Sequence, residues 1–276
     1  MLIKINDQIQ CDVSVLINWI KENMGVLYNE RNIFALEKRL RNFVDTHSIK
    51  TEAELMSFLN THNVNNEQDL YDLFVNNETF FYREPKFFES LKNEIIPYFV
   101  NECKKDHITV WTMACSTGQE AYTTAMIMEE LCHSGSKFTY EIRATDISHR
   151  AIEQAKSGEY DHLEINRGLT PDQIEKFTYR KGDKFCINNN IKNHMTFEKK
   201  NLIRPWMVEQ QYDLLICRNL LYYFDDVARS HVVKNAFNTL NNDGLFCLSG
   251  SENLFDYQSF FRHAKFYASF NKVTKR

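Results

Sequence analysis

The stretch 109–122, TVWTMACSTGQEAY, runs from an apolar, β-prone start at Val110 and Trp111 through the small residues Ala114, Cys115, Ser116 and Gly118. It continues into a helical periodicity carried by Met126, Ile127 and Leu131. This reads as a strand, a tight turn and a helix. In an open α/β sheet, such a corner at the carboxyl end of a first strand lets a nucleotide-like cofactor lie against backbone N–H groups and a helix N-terminus. Gly118 is the single glycine of the stretch, so the G-x-G-x-x-G fingerprint is not met and a hydride-transfer cofactor is not the first expectation. Taken alone, the corner is equally compatible with a plain βα unit that binds nothing.

Downstream, a second αβ unit follows whose strand YEIRAT (140–145) ends on Asp146. An acid at the end of a second strand is placed to accept hydrogen bonds from a ribose diol. The plain alternative is a helix cap, with Asp146 or Ser148 opening the helix at 151–156. Between Tyr160 and Met195 the αβ rhythm is interrupted by a short helix, LTPDQIEKF, with Thr170 as cap and Pro171 in the first turn. A small antiparallel excursion follows, with turns at 181–183 and 188–190. The run YDLLIC (212–217) is nearly all apolar, as in parallel strands buried on both faces, and is followed by Arg218 and Asn219. A helix over 227–240, a turn at 242–244, a strand over 245–249 and a final strand near 266–270 complete the pattern.

Upstream, apolar residues recur at three- and four-residue spacing from Val13 to about Phe74, which predicts a small helical domain. Its second helix carries Lys38, Arg39 and Arg41, offset by Glu30, Glu37 and Asp45, so a solvated face of mixed charge is the plain reading. The segment NNETFFYREPKFF (76–88) breaks the period with clustered aromatics and a proline that disfavours helix at Glu84; it reads as a linker. Phe80, Phe81 and Tyr82 can plug a seam between domains, whereas Asn77, Thr79 and Arg83 beside them require polar partners.

Composition excludes several classes. The 276 residues are 43% apolar, enough for a packed core, and the net charge of -4 lacks the basic balance of a nucleic-acid binder. The seven cysteines are scattered and form no C-x-x-C pair, against both a disulfide framework and a zinc site. No apolar run reaches the ~20 residues of a membrane span, and MLIKINDQIQ lacks a signal-peptide core, so a reducing cytoplasm is expected.

In order along the chain, NETFFYREP, STGQEAY, ATDIS, AKSGEY, LTPDQIEKF, ICRNLLYYFDD and LFCLSGSENL resemble the motifs of the CheR-type chemoreceptor glutamate O-methyltransferases, over roughly 24–272. The resemblance implies a Rossmann-like class I methyltransferase sheet in the α/β class, with an amino-terminal helical domain and a small antiparallel β insertion. Its division would be a helical domain over 1–75, a linker contributing to the cofactor site over 76–86, and a cofactor-binding α/β domain over 87–276 with the insertion at about 165–197. The cofactor would be S-adenosyl-L-methionine, the product S-adenosyl-L-homocysteine, and no metal would be needed. Carried over position by position, Asn77, Thr79 and Arg83 would line the cofactor pocket. Glu120 would contact the amino group of the methionine portion, Asp146 the ribose, and the pairs Asn201-Leu202 and Asn219-Leu220 would flank the cofactor. Arg83 and Tyr223 would act directly in transfer.

The partner implied is the cytoplasmic helical bundle of a chemoreceptor, with no nucleic acid and no insertion into membrane, and the protein would work as a monomer. Lys38, Arg39 and Arg41 would then face the acidic receptor surface. Where the family has two acids and a proline after the glycine, this chain has Gln119-Glu120-Ala121, which keeps the acid expected to touch cofactor. A glutamate carboxylate, with a pKa of about 4.3, is already anionic at neutral pH and needs no general base. The other readings are a binding module without turnover, and an amino-group methyltransferase of nucleic acid. The latter would prefer an Asn-Pro-Pro-aromatic strand end, which Arg218-Asn219-Leu220-Leu221 is not.

Overall fold

The computed structural model describes residues 2–5, 9–28, 30–60, 64–135, 137–207 and 210–274. A two-stranded antiparallel ribbon, β1 (Leu2–Lys4) and β2 (Gln10–Asp12), precedes four helices, α1 (Val13–Met24), α2 (Glu30–Thr46), α3 (Glu52–Asn60) and α4 (Val64–Phe74). The heptad-like spacing puts Leu16, Ile20 and Met24 of α1 into one buried cluster with Leu36, Leu40 and Phe43 of α2 and Leu70 and Phe74 of α4. The Asp12 side chain accepts the Ser14 N–H to start α1, and Gly25, in the left-handed region, ends it.

After the linker, Pro85 opens α5 (Pro85–Ser90), which continues through two π turns, Leu91–Ile95 and Tyr98–Glu102. The chain then runs through β3 (His107–Met113), α6 (Gln119–His133), β4 (Thr139–Asp146), α7 (His149–Ser157), β5 (Glu159–Tyr160), α8 (His162–Asn166), α9 (Pro171–Phe177), β6 (Thr178–Lys181), β7 (Lys184–Ile187), α10 (Asn189–Lys192) and β8 (Met195–Lys199). It closes with β9 (Tyr212–Ile216), α11 (Asp226–Thr239), β10 (Leu240–Cys247), β11 (Phe261–His263) and β12 (Ser269–Lys272).

Seven of these strands form one sheet in the order β11-β12-β10-β9-β3-β4-β8, parallel from β10 to β8 and antiparallel at the β12 and β11 edge. Strand β3 alternates its side chains between two cores. Ile108 and Val110 pack with Met126 and Ile142 on one face, and Trp111 and Met113 with Leu215 and Val232 on the other. All five residues of β9 are buried, as its apolar run requires. The strand order reverses at β3, which has β4 on one side and β9 on the other, so a crevice opens at the carboxyl ends of β3 and β9.

A separate three-stranded antiparallel sheet has the order β5-β7-β6, with Gly182 in the β6–β7 turn. One of its strands, β5, lies before position 165, and Met195 already belongs to the main sheet. The single strand expected near 266–270 is instead the hairpin of β11 and β12. Residues 264–268 connect its strands, with Ala268 at φ 46°, and do not stand apart from them in the sequence because strands of three and four residues are too short to show a period of two. The turn expected at 242–244 is absorbed into β10 as an irregularity in its pairing with β9 between Leu240 and Leu245.

The linker is pinned from outside by Gly168. A Cβ built there would stand 1.9 Å from the carbonyl oxygen of Phe81, and its φ is +121°. Gly168→Ala is therefore expected to cost roughly 2–4 kcal/mol, since linker backbone has to move and the new residue is strained. Urea unfolding of the variant checks this, and a loss under about 0.5 kcal/mol contradicts the contact.

Candidate functional site

The crevice holds a cavity of about 380 Å³, within the range of small-molecule sites. Asn77, Thr79, Arg83, Glu120, Asp146, Asn201, Leu202, Asn219, Leu220 and Tyr223 all line it. So do Met24, Tyr28, Arg39 and Phe74 of the amino-terminal helical unit, where periodicity put Phe74 in a helical core and Arg39 on a charged face.

Backbone geometry shapes the floor. Ala114 (φ 54°) and Ser116 (φ 51°) lie in the left-handed region ahead of Gly118 (φ 97°), and so does Asn219 (φ 58°) after β9. Non-glycine residues persist there only where surroundings over-determine them. Asp146 is one such determinant: it accepts the Ser116 N–H at 2.8 Å through Oδ2 and the Ser148 N–H at 2.9 Å through Oδ1. The cap of α7 is Ser148, whose hydroxyl accepts the Ala151 N–H at 3.0 Å. Asp146 thus braces the corner and also lines the cavity. Its burial pushes the carboxyl up from the ordinary value, while the backbone N–H bonds hold it down. Gly118 is required because a Cβ there would come within 2.9 Å of the Ala155 Cβ and 3.1 Å of the Tyr160 hydroxyl, which itself donates to the Thr117 carbonyl.

The opposite wall is organised by Arg218. Its fully buried guanidinium donates to Glu120 (2.7 Å), to Glu84 (2.7 Å) and to the carbonyl of Arg83 (2.7 Å), with its carbon 4.4 Å from the Phe87 ring centroid. Burial raises the Glu120 carboxyl, and Arg218 acts against that rise. Arg218, not the neighbouring Arg83, pairs with both acids. Arg83 donates from Nη1 to the Glu78 carbonyl at 2.7 Å, which commits one of five donors. The Tyr223 ring lies 4.4 Å from that of Tyr222, and its hydroxyl accepts Asn76 Nδ2 at 3.4 Å.

The loop after β9 is held by Glu252, which accepts the N–H groups of Asn219 (2.9 Å), Leu220 (2.9 Å) and Leu221 (2.7 Å). Asn201 spends its amide locally, donating to the Asn23 carbonyl at 2.8 Å and accepting the Ile203 N–H at 3.1 Å, so it ties the end of α1 to the sheet. A bridge between Val26 and Phe224, and the Leu27 N–H on the Tyr223 carbonyl at 2.7 Å, extend that seam. Arg218, Glu84 and Glu252 were not singled out from the sequence, although they lie in the ICRN, REP and SENL motifs.

Arg39 corrects an expectation. It does not share an outward basic face with Lys38 and Arg41, but turns in to the end of α4 and lines the cavity. Arg41 is exposed and pairs with Glu37 at 2.8 Å. Among the described residues no cluster of three or more His, Cys, Asp or Glu is placed to hold a metal, and no helix is long and apolar enough to cross a membrane.

Asp146→Asn puts an amide where two N–H groups, and the diol of any ribose bound beside them, need an acceptor. It is expected to weaken binding of an adenosyl ligand by ~1.5–3 kcal/mol, roughly ten- to a hundredfold. Calorimetry on folded protein measures this, and an unchanged dissociation constant removes Asp146 from the ligand site.

A family model described as "CheR methyltransferase, SAM binding domain" matches residues 77–270. A chemotaxis protein methyltransferase from Pseudomonas putida is 29% identical over 241 residues, covering 86% of this chain and 88% of the relative. One from Borreliella burgdorferi is 30% identical over 250 residues, 88% of each. Among solved structures, a TehB-like SAM-dependent methyltransferase from Corynebacterium glutamicum aligns with a TM-score of 0.39 at 13% identity, over 68% of this chain and 88% of that one.

Proposed function

The chain belongs to the CheR methyltransferase family, and we propose that it forms methyl esters on glutamate side chains of a chemoreceptor's cytoplasmic helical bundle, for adaptation in chemotaxis. The observation that carries this is convergence. Arg83 from the linker and Tyr223 from the loop after β9 line the same cavity as two acids, the buried Asp146 and the partly buried Glu120. In this reading the helical unit over 1–75 meets the receptor, the linker over 76–86 closes the cofactor site, and 87–276 holds the cofactor.

The residues fit S-adenosyl-L-methionine. Buried carboxylates suit a ligand with an ammonium group and a ribose diol, and Ile147 and Leu202 offer apolar surface beside Asp146. Glu120 would take the ammonium and Asp146 the diol, with Asn77, Thr79, Asn201 and Asn219 along the length. When bound, this cofactor supplies a methyl group on a sulfonium cation. The substrate carboxylate is itself the nucleophile, so the protein's task is placement and exclusion of water rather than proton transfer. Arg83 holds the substrate carboxylate through paired N–H donors, which a lysine cannot match. Tyr223, fixed by the β-like seam with Leu27, orients the reacting end.

Burial of Glu120 sets a pH dependence. Its carboxyl is raised in the free protein, and a cationic ligand favours the ionised form. Affinity for S-adenosylmethionine is therefore full above the free-protein pKa and falls as pH drops through it, at a midpoint above the ordinary glutamate value. Calorimetric titrations from pH 8 down through the ordinary carboxylate range follow this, and Glu120→Gln should both weaken binding and flatten the profile. A wild-type affinity independent of pH over that range contradicts the assignment. Substrate class is tested by incubating the protein with methyl-labelled cofactor and a receptor cytoplasmic fragment. Label should enter the fragment and be lost when its exposed glutamates are changed to alanine; equal labelling of the alanine fragment overturns the proposal.

A further inference from the structure

The helix α4 ends in the sequence Phe74-Val75-Asn76 without a glycine, so its last carbonyls lack the usual left-handed cap. Arg39 takes that place. Its Nη1 lies 3.4 Å from the Leu73 carbonyl, 3.1 Å from that of Phe74 and 3.2 Å from that of Val75, and the Tyr28 hydroxyl donates to the Phe74 carbonyl at 3.1 Å. A guanidinium against three carbonyls at a helix C-terminus is charge-assisted and favoured by the helix dipole. The next residue, Asn76, reaches the Tyr223 hydroxyl at 3.4 Å. From the same helix, Asp72 in the last turn accepts the hydroxyl of Ser148, and Gln68 one turn earlier donates to the Ile147 carbonyl at 3.4 Å, both in the loop that follows Asp146. This helix therefore touches both the Asp146 side of the cavity and the Tyr223 side.

Resting on the cofactor and transfer reading given above, the geometry points to Arg39 as a positioning residue for methyl transfer: by clamping the end of α4 it sets the linker and Tyr223 against the cofactor cavity. It acts from inside α2, whereas Lys38 and Arg41 on the same helix are exposed. Two neighbouring cations on one helix thus have opposite tasks. Loss of the clamp affects cofactor affinity and turnover, and loss of an exposed cation affects only the encounter with the receptor.

The test compares Arg39→Met, Arg39→Lys, Asn76→Ala and Arg41→Glu with the wild type. Three quantities are read: the dissociation constant for S-adenosylhomocysteine by calorimetry, kcat and KM for a receptor fragment at saturating cofactor, and the melting temperature. Arg39→Met should raise the dissociation constant and lower kcat by about tenfold each, leaving receptor KM within about twofold. Arg39→Lys, a point charge able to serve fewer carbonyls at once, should recover part of both losses. Asn76→Ala should lower kcat with near-native product affinity, and Arg41→Glu should raise receptor KM alone. Should Arg39→Met fail to fold, Arg39→Lys and Asn76→Ala carry the comparison. The inference is overturned if Arg39→Met raises only receptor KM, or if it lowers the melting temperature while affinity and kcat of the folded protein stay native. Absence of S-adenosylhomocysteine binding by the wild type counts instead against the cofactor reading.

Discussion

Arg218→Met is expected to cost about 3–5 kcal/mol of folding stability and to abolish measurable cofactor binding, because it strands two acids rather than one. In the native protein the fully buried guanidinium stands between Glu84 and Glu120 and packs on Phe87 and Phe88. Methionine fills much of the same volume, so the loss isolates charge rather than a cavity. Glu84 keeps the Gly250 N–H at 3.0 Å, but Glu120 loses the partner that opposes its desolvation. A triple variant that also carries Glu84→Gln and Glu120→Gln should regain stability over Arg218→Met, since no uncompensated charge remains. Urea unfolding of the single and triple variants decides the matter, and a loss below about 1 kcal/mol in Arg218→Met contradicts the hub.

The second large effect belongs to the rate. Arg83→Ala should lower turnover by about 10²–10³-fold while leaving cofactor affinity within a fewfold, as expected of a group whose interaction is used in the transition state. Tyr223→Phe should show the same pattern with a smaller loss. The structure makes the experiment cleaner than the sequence alone suggested: Arg218, not Arg83, satisfies Glu84 and Glu120, so removal of Arg83 strands neither acid. The observed Arg83 bond is to the Glu78 carbonyl in its own linker. Single-turnover transfer to a receptor fragment, measured beside the melting temperature, separates chemistry from folding. Near-native turnover in folded Arg83→Ala protein removes Arg83 from the transfer step.

Much of the site was legible because its signals are local. The corner at Gly118 and the acid ending β4 follow from periodicity and turn chemistry within about a dozen residues each, and the motif order identified the linker and the loop after β9. What was hidden depends on how elements cross. Arg39 sits in a run of mixed charge and reads as solvated surface; only the packing of α2 on α4 turns it inward. Phe74 reads as helical core and is also cavity wall beside Met24 and Tyr28, because the sheet crevice is closed by the ends of α1 and α4. Arg218 follows an apolar strand and gives no local sign that two acids far apart in sequence, Glu84 and Glu120, converge on it. The closing hairpin was compressed into one strand because its two short strands carry too few residues for alternation to register.

The central claim, that this cavity delivers a methyl group to a carboxylate, is tested most directly by the chemistry of the bond formed. A receptor fragment labelled from methyl-labelled S-adenosylmethionine is brought to alkaline pH and the volatile label collected. A glutamate methyl ester releases its label as methanol under those conditions, and that release is the expected result. Label that enters the fragment but resists alkali marks an amine or another base-stable acceptor and contradicts glutamate O-methylation.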